Sequence, residues 1–151
     1  MATDFALVND SMETQEMGLK ANTSSQRRIL LVDDAEGVTQ LTARLLGMLG
    51  HQVSLAHNGE SAIATALHTL PHVIILDLQL PDMTGCEVVR ELKRHTELAA
   101  SLFVAVTGFS DAETRAEATA AGFDEYIVKP AAIESLERLL VHPNLPAIAQ
   151  S

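Results

Sequence analysis

With 151 residues, 47% of them hydrophobic, the chain suits one compact domain with a real core, because a domain commonly takes roughly 100 to 200 residues. Its formal net charge is −10, so it lacks the cationic surface that neutralises nucleic-acid phosphates, and direct nucleic-acid binding is disfavoured. Cys86 is the only cysteine, which excludes an internal disulfide framework and fits a reducing cytoplasm.

Residues 1–26 are polar and read as a flexible tail, in which only Phe5 to Val8 form a short amphipathic piece able to dock. No basic segment followed by an apolar one marks a secretory signal, and no apolar run approaches the roughly 20 residues of a membrane span. The expectation is a cytoplasmic protein with no membrane partner. From Arg28 the pattern changes to short apolar runs alternating with helical periodicity.

The first run, Ile29 to Val32, predicts a buried strand, and Val38, Leu41, Leu45 and Leu49 recur at helical spacing up to Gly50, a C′ position. Val53 to Ala56 predicts a second strand, and Asn58 a cap for the helix holding Ile63, Ala66 and Leu67. Val73 to Leu76 follows as the third strand. Thr84 with Glu87 fits a capping box for the third helix, as Ser110 with Glu113 does for an Ala-rich fourth helix that Gly122 closes. Leu102 to Val106 and Glu125 to Val128 predict the last two strands. A short fifth helix runs from about Ile133 until Pro143 forbids continuation, which puts dimerisation through that surface in doubt. The predicted domain covers 27–142, and 143–151 reads as a second tail.

Five strand and helix units in alternation imply an α/β fold, a parallel sheet with helices on both faces, although periodicity does not give the strand order. In such sheets ligands sit beyond the carboxyl ends of the strands. Asp33 and Asp34 follow the first strand, Asp77 the third, Thr107 the fourth, and Lys129 with Pro130 the fifth. Crowded carboxylates repel unless a cation compensates, and a set of hard oxygen donors points to Mg²⁺ rather than zinc. An amine and a hydroxyl beside them suit phosphoryl transfer to a carboxylate, where catalysis is mostly positioning and charge stabilisation.

The segments ILLVDD, VIILDLQLPDMTG, VAVTG and DEYIVKP resemble the signature segments of response-regulator receiver domains, over roughly Arg28 to Val141. The resemblance implies a flavodoxin-like, doubly wound, five-stranded parallel sheet. It also implies that Asp77 is the phosphoacceptor, that Asp34, Asp77 and the main-chain carbonyl of Gln79 hold Mg²⁺, and that Asp33 supports the ion largely through water. Thr107 and Lys129 would contact the phosphoryl oxygens, and Tyr126 would be the switch aromatic, for which space is vacated when phosphorylation pulls Thr107 inward. Pro130 would follow a cis peptide bond, while Pro81 and Gly85 shape the loop after the acceptor. The implied partners are a sensor histidine kinase or histidine phosphotransfer protein and a downstream protein target, within two-component or phosphorelay signalling. The switch would be no enzyme beyond its own phosphorylation and dephosphorylation.

Two other readings compete. Phosphatases of the haloacid-dehalogenase type also use an Asp nucleophile and Mg²⁺, but theirs sits in a D-x-D pattern after the first strand, and no substrate-capping domain fits here. A phosphorylation-independent interaction module is weakened by the presence of every residue the chemistry needs. Within the receiver reading the chain is a stand-alone regulator or a receiver piece of a hybrid kinase. Pro71 separates His68 from His72, so both read as surface histidines rather than metal ligands, and Cys86 reads as a partly buried small hydrophobe.

Overall fold

A computed structural model of the chain describes residues 26–143 and 145. Phe5 to Val8, expected to form a docking piece, lie outside the described residues. The element order is β1 (Arg28–Val32), α1 (Glu36–Met48), β2 (Gln52–Ala56), α2 (Gly59–Thr69), β3 (Val73–Asp77), α3 (Gly85–Leu92), a 3-10 turn (Thr96–Leu98), β4 (Leu102–Thr107), α4 (Ala112–Ala121), β5 (Glu125–Val128) and α5 (Ile133–Leu139).

All strand pairs are parallel, in the order β2-β1-β3-β4-β5. Every residue of β3 and β4 is buried, as their unbroken apolar runs require of strands covered on both faces. The less buried β2 and β5 form the edges. Alternation of side chains divides the core in two. Leu30, Val32, Ile74, Leu76, Phe103 and Ala105 pack with α2, α3 and α4, whereas Ile29, Leu31, Ile75, Val104 and Val106 pack with α1 and α5. The fold is thus the expected flavodoxin-like, doubly wound one.

Helix ends follow local chemistry. Asn58 accepts from the Ser61 N–H and Thr84 from the Glu87 N–H, as their sequence positions imply. Gly50 and Gly122 have φ of 97° and 120°, conformations a side chain would strain, and they end α1 and α4. At α4 the expected Ser110 box gives way to Asp111, one residue on, whose carboxylate takes both the N–H and the hydroxyl of Thr114. A carboxylate also suits the helix's positive end better than a hydroxyl.

The helical stripe of α1 is turned differently from the one its spacing suggests. Val38 and Leu41 are more than half exposed, while Thr39, Leu46 and Leu49 are buried. His72 corrects another expectation: it is buried, not at the surface. The N–H groups of Arg27 and Arg28 point to opposite sides of the chain as it enters β1. His51 Nδ1, just before β2, accepts the first at 3.0 Å, and His72 Nδ1, just before β3, accepts the second at 2.9 Å. Burial lowers both imidazoles, aided by Arg27 at His51 and by Arg28 and Arg27 at His72, which falls to about 4. His68 is exposed, and α2 ends at Thr69, before Pro71.

Candidate functional site

The chain leaves β1 for β2 on one side and returns to β3 on the other, so a crevice opens at the carboxyl ends of β1 and β3. Asp33 and Asp34 follow β1, and Asp77 is the last residue of β3. One carboxylate oxygen from each lies within 4.8 Å of the others. Asp77 is buried, Asp33 half-buried and Asp34 exposed, so the cluster is open to solvent on one side.

Lys129, just after β5, reaches across the sheet's end. Its Nζ lies 2.7 Å from Asp77 Oδ2 and 2.9 Å from Asp33 Oδ2. Burial alone would lower the Lys129 pKa, but hydrogen bonds and charge from Asp77 and Asp33 outweigh it and raise it. Burial would likewise raise Asp33, yet the Ala35 N–H and Lys129 hold it below the usual carboxylate range. Three carboxylates facing one ammonium leave two formal negative charges uncompensated, which is what a divalent cation would balance. The donors are hard oxygens, as Mg²⁺ requires.

The second Asp77 oxygen, Oδ1, accepts the Gln79 N–H at 2.9 Å. The carboxylate is therefore oriented from both sides. Gly85 begins α3 directly against this residue: a Cβ there would stand 2.5 Å from the Asp77 carbonyl oxygen and 3.0 Å from Leu78 Cα. Backbone cannot yield as a side-chain tip does. Gly85→Ala is expected to lower stability by about 1 to 3 kcal/mol, the usual range for overpacking. Gly47→Ala, in the interior of α1 with open space around it, is expected to raise stability by up to about 1 kcal/mol through helix propensity. Urea unfolding of the two variants checks these opposite signs.

Thr107, the last residue of β4, is buried, and its Oγ1 accepts the Phe109 N–H at 3.2 Å. Tyr126 donates its hydroxyl to the carbonyl of that same Phe109 at 2.5 Å, and the Arg115 guanidinium stacks 4.5 Å from its ring centre. Residue 109 thus joins Thr107 to Tyr126 through its backbone, while its own ring is about half exposed. The Lys129–Pro130 peptide is cis.

Two residues escaped sequence reasoning. His57 follows β2, and its Nδ1 lies 2.9 Å from the Asp33 carbonyl; the strand-end rule that singled out the other residues extends to it. Asp82 reaches α2 from the loop after β3, a contact with no local sequence signal. Cys86 is partly buried with its thiol against the Glu117 carbonyl, and burial raises its pKa.

Residues 29–141 match the response regulator receiver domain family. The transcriptional regulatory protein TrcR of Mycobacterium tuberculosis is 35% identical over 72% of this chain and 42% of its own length. The regulatory protein AtoC of Escherichia coli is 26% identical over 75% of the chain and 24% of its own length. The chain therefore spans less than half of either relative. Among solved structures, the chemotaxis protein CheY4 of Vibrio cholerae superposes with a TM-score of 0.73 at 29% identity, covering 77% of this chain and 97% of that one. The receiver domain of the Pseudomonas aeruginosa sensor histidine kinase PA1611, solved with a magnesium ion coordinated in its active-site cleft, gives 0.70 at 27% identity, covering 76% and 94%. Among the described residues no helix is long and apolar enough to cross a membrane.

Proposed function

The chain belongs to the response regulator receiver domain family, and from that premise we propose that it is a switch whose Asp77 accepts a phosphoryl group from a phosphohistidine of a sensor kinase or phosphotransfer protein. The observation that carries this reading is the bridging of Asp77 and Asp33 by Lys129 beside a cluster of three carboxylates. An Asp77 oxygen attacks phosphorus, an acyl-phosphate O–P bond forms, and the P–N bond to the donor imidazole breaks.

Asp33, Asp34, Asp77 and the main-chain carbonyl of Gln79 are the residues that would hold Mg²⁺. When bound, the ion supplies positive charge against the phosphoryl oxygens. The protein's own residues do the rest. The Gln79 N–H fixes one Asp77 oxygen, and the Lys129 ammonium, already at the other, is placed to neutralise a phosphoryl oxygen once that group arrives.

The signal leaves the site through Thr107. A phosphoryl group offers the Thr107 hydroxyl a strong acceptor in place of its contact with the Phe109 N–H, which disturbs the segment whose carbonyl holds Tyr126. Output then runs through a downstream protein rather than nucleic acid, in keeping with the acidic chain.

Incubation with phosphoramidate or acetyl phosphate and Mg²⁺, followed by intact mass measurement, tests the reading. One phosphoryl group per chain is expected, and chelation of the metal is expected to prevent it. A chain that gains no phosphoryl mass from either donor, at saturating Mg²⁺, would overturn the proposal. Steady release of phosphate from varied phosphomonoesters would favour a phosphatase instead.

A further inference from the structure

The segment between β3 and α3 carries Gln79, and therefore one of the two contacts that orient Asp77. Its ends are closed on each other. Gln79 and Thr84 form an isolated antiparallel bridge, and the Gly85 N–H donates to the Leu78 carbonyl at 2.9 Å. The tip between them is held from outside the segment, by the first turn of α2. Asp82 Oδ1 accepts the Gly59 N–H at 2.7 Å, and Oδ2 accepts the Glu60 N–H at 2.9 Å.

A helix leaves its first N–H groups without internal partners, and a single local side chain normally serves as cap. In α2 that cap is present, since Asn58 takes the Ser61 N–H at 2.8 Å. Asp82 takes the two donors that Asn58 leaves, from 22 or more residues away. Beside it, the Met83 side chain fills the space above Gly59, where a Cβ would stand only 2.2 Å from its Cγ. The helix start is thus shaped to receive the loop, by two free donors and by the missing side chain.

We propose that Asp82 is a positioning residue for the phosphoacceptor site: it clamps the tip of the acceptor loop to α2 and thereby fixes the main chain of Gln79 against Asp77. This rests on the reading of the Asp33, Asp34 and Asp77 cluster as a Mg²⁺ site. Among the described residues, the Asp82 carboxylate bonds to the start of α2 and to neither the cluster nor Lys129. Its influence passes through residues 79–84, so its loss is read in metal binding as well as in stability.

The test is a Mg²⁺ titration followed by backbone amide NMR on wild type, Asp82→Ala, Asp82→Asn and Asn58→Ala. Asn58→Ala removes a cap from the same helix end but leaves the loop clamp in place. Asp82→Ala is expected to weaken Mg²⁺ binding about tenfold, the lower end of what loss of an outer supporting contact does at metal sites. Asp82→Asn keeps one acceptor oxygen and is expected to fall between that and wild type. Asn58→Ala is expected to change the affinity by less than about twofold, as independent sites do. Wild-type affinity in a folded Asp82→Ala protein overturns the proposal, and so does an equal loss in Asn58→Ala. Should the Ala variant not fold, Asp82→Asn decides alone, and wild-type affinity there overturns it. If wild type itself binds no Mg²⁺, the reading of the carboxylate cluster fails instead, a result plainly different from the others.

Discussion

Asp77→Asn is expected to leave a folded protein that gains no phosphoryl group at all. The amide has the shape of the carboxylate but is not a nucleophile, so the loss is complete rather than partial. Its carbonyl oxygen can still accept the Gln79 N–H, now 2.9 Å from Asp77 Oδ1. Lys129 keeps its 2.9 Å partner in Asp33. Removing one of three crowded carboxylates relieves like-charge repulsion, but the amide NH2 then replaces the oxygen that accepts from Lys129 at 2.7 Å. The two effects oppose, and the variant is expected to melt close to wild type. Intact mass after exposure to phosphoramidate and Mg²⁺, with a thermal melt on the same sample, gives both readouts. A phosphoryl group on the folded variant would mean that Asp33, Asp34 or another residue is the true acceptor.

Much of this site was legible because strand ends in a parallel sheet share one edge. Once the apolar runs are counted as strands, Asp33, Asp34, Asp77, Thr107 and Lys129 must gather there, whatever the strand order. The runs of β1, β3 and β4 were the most legible because strands buried on both faces tolerate no polar interruption. What stayed hidden depends on neighbours that are distant in sequence. Of the expected stripe Val38, Leu41, Leu45 and Leu49, the last is buried and Leu45 packs partly against the core, whereas Val38 and Leu41 are exposed and Thr39 and Leu46 are buried in their place. Only the sheet beneath decides the exact rotation of the buried face, and it turns the start of the helix toward Thr39. The exposed Val38 instead borders an apolar cavity of about 380 Å³ between α1 and α5, which reaches Lys129 and Asp33. The cap of α4 was misplaced by one residue because Ser110 and Asp111 both precede an acceptable partner. Asp82, and the two histidines that hold the start of β1, pair across 22 or more residues, a range at which local pattern carries no information.

The His72 contact predicts that stability falls as the solution is acidified from neutrality, before the carboxylates begin to titrate. His72 accepts the Arg28 N–H through Nδ1 while its own backbone N–H donates to the Arg28 carbonyl at 2.8 Å. The ring is buried, and Arg28 and Arg27 add repulsion to any charge placed on it. Protonation would convert the acceptor into a second donor facing an N–H. The folded-state pKa is accordingly lowered from 6.5 to about 4. The unfolded chain therefore takes up the proton first. The contribution is fully present above about pH 6.5, drains as the pH falls toward 4, and is exhausted below that value. Over the whole window this linkage amounts to roughly 3 kcal/mol, and between pH 6.5 and 5 to roughly 2 kcal/mol. Asp33, Asp82 and Asp111 are all lowered from 3.8, so their stabilisation is lost mainly at more acid pH and leaves the upper part of the window to histidine. His51 is lowered for the same reasons and adds to the slope in wild type. His72→Asn supplies a carbonyl acceptor that does not titrate, so its stability is expected to vary less over the same interval. Urea unfolding of both proteins at pH 7, 6 and 5 makes the comparison. Equal slopes for wild type and His72→Asn would show that His72 enters the fold without the neutral, accepting role its geometry assigns it.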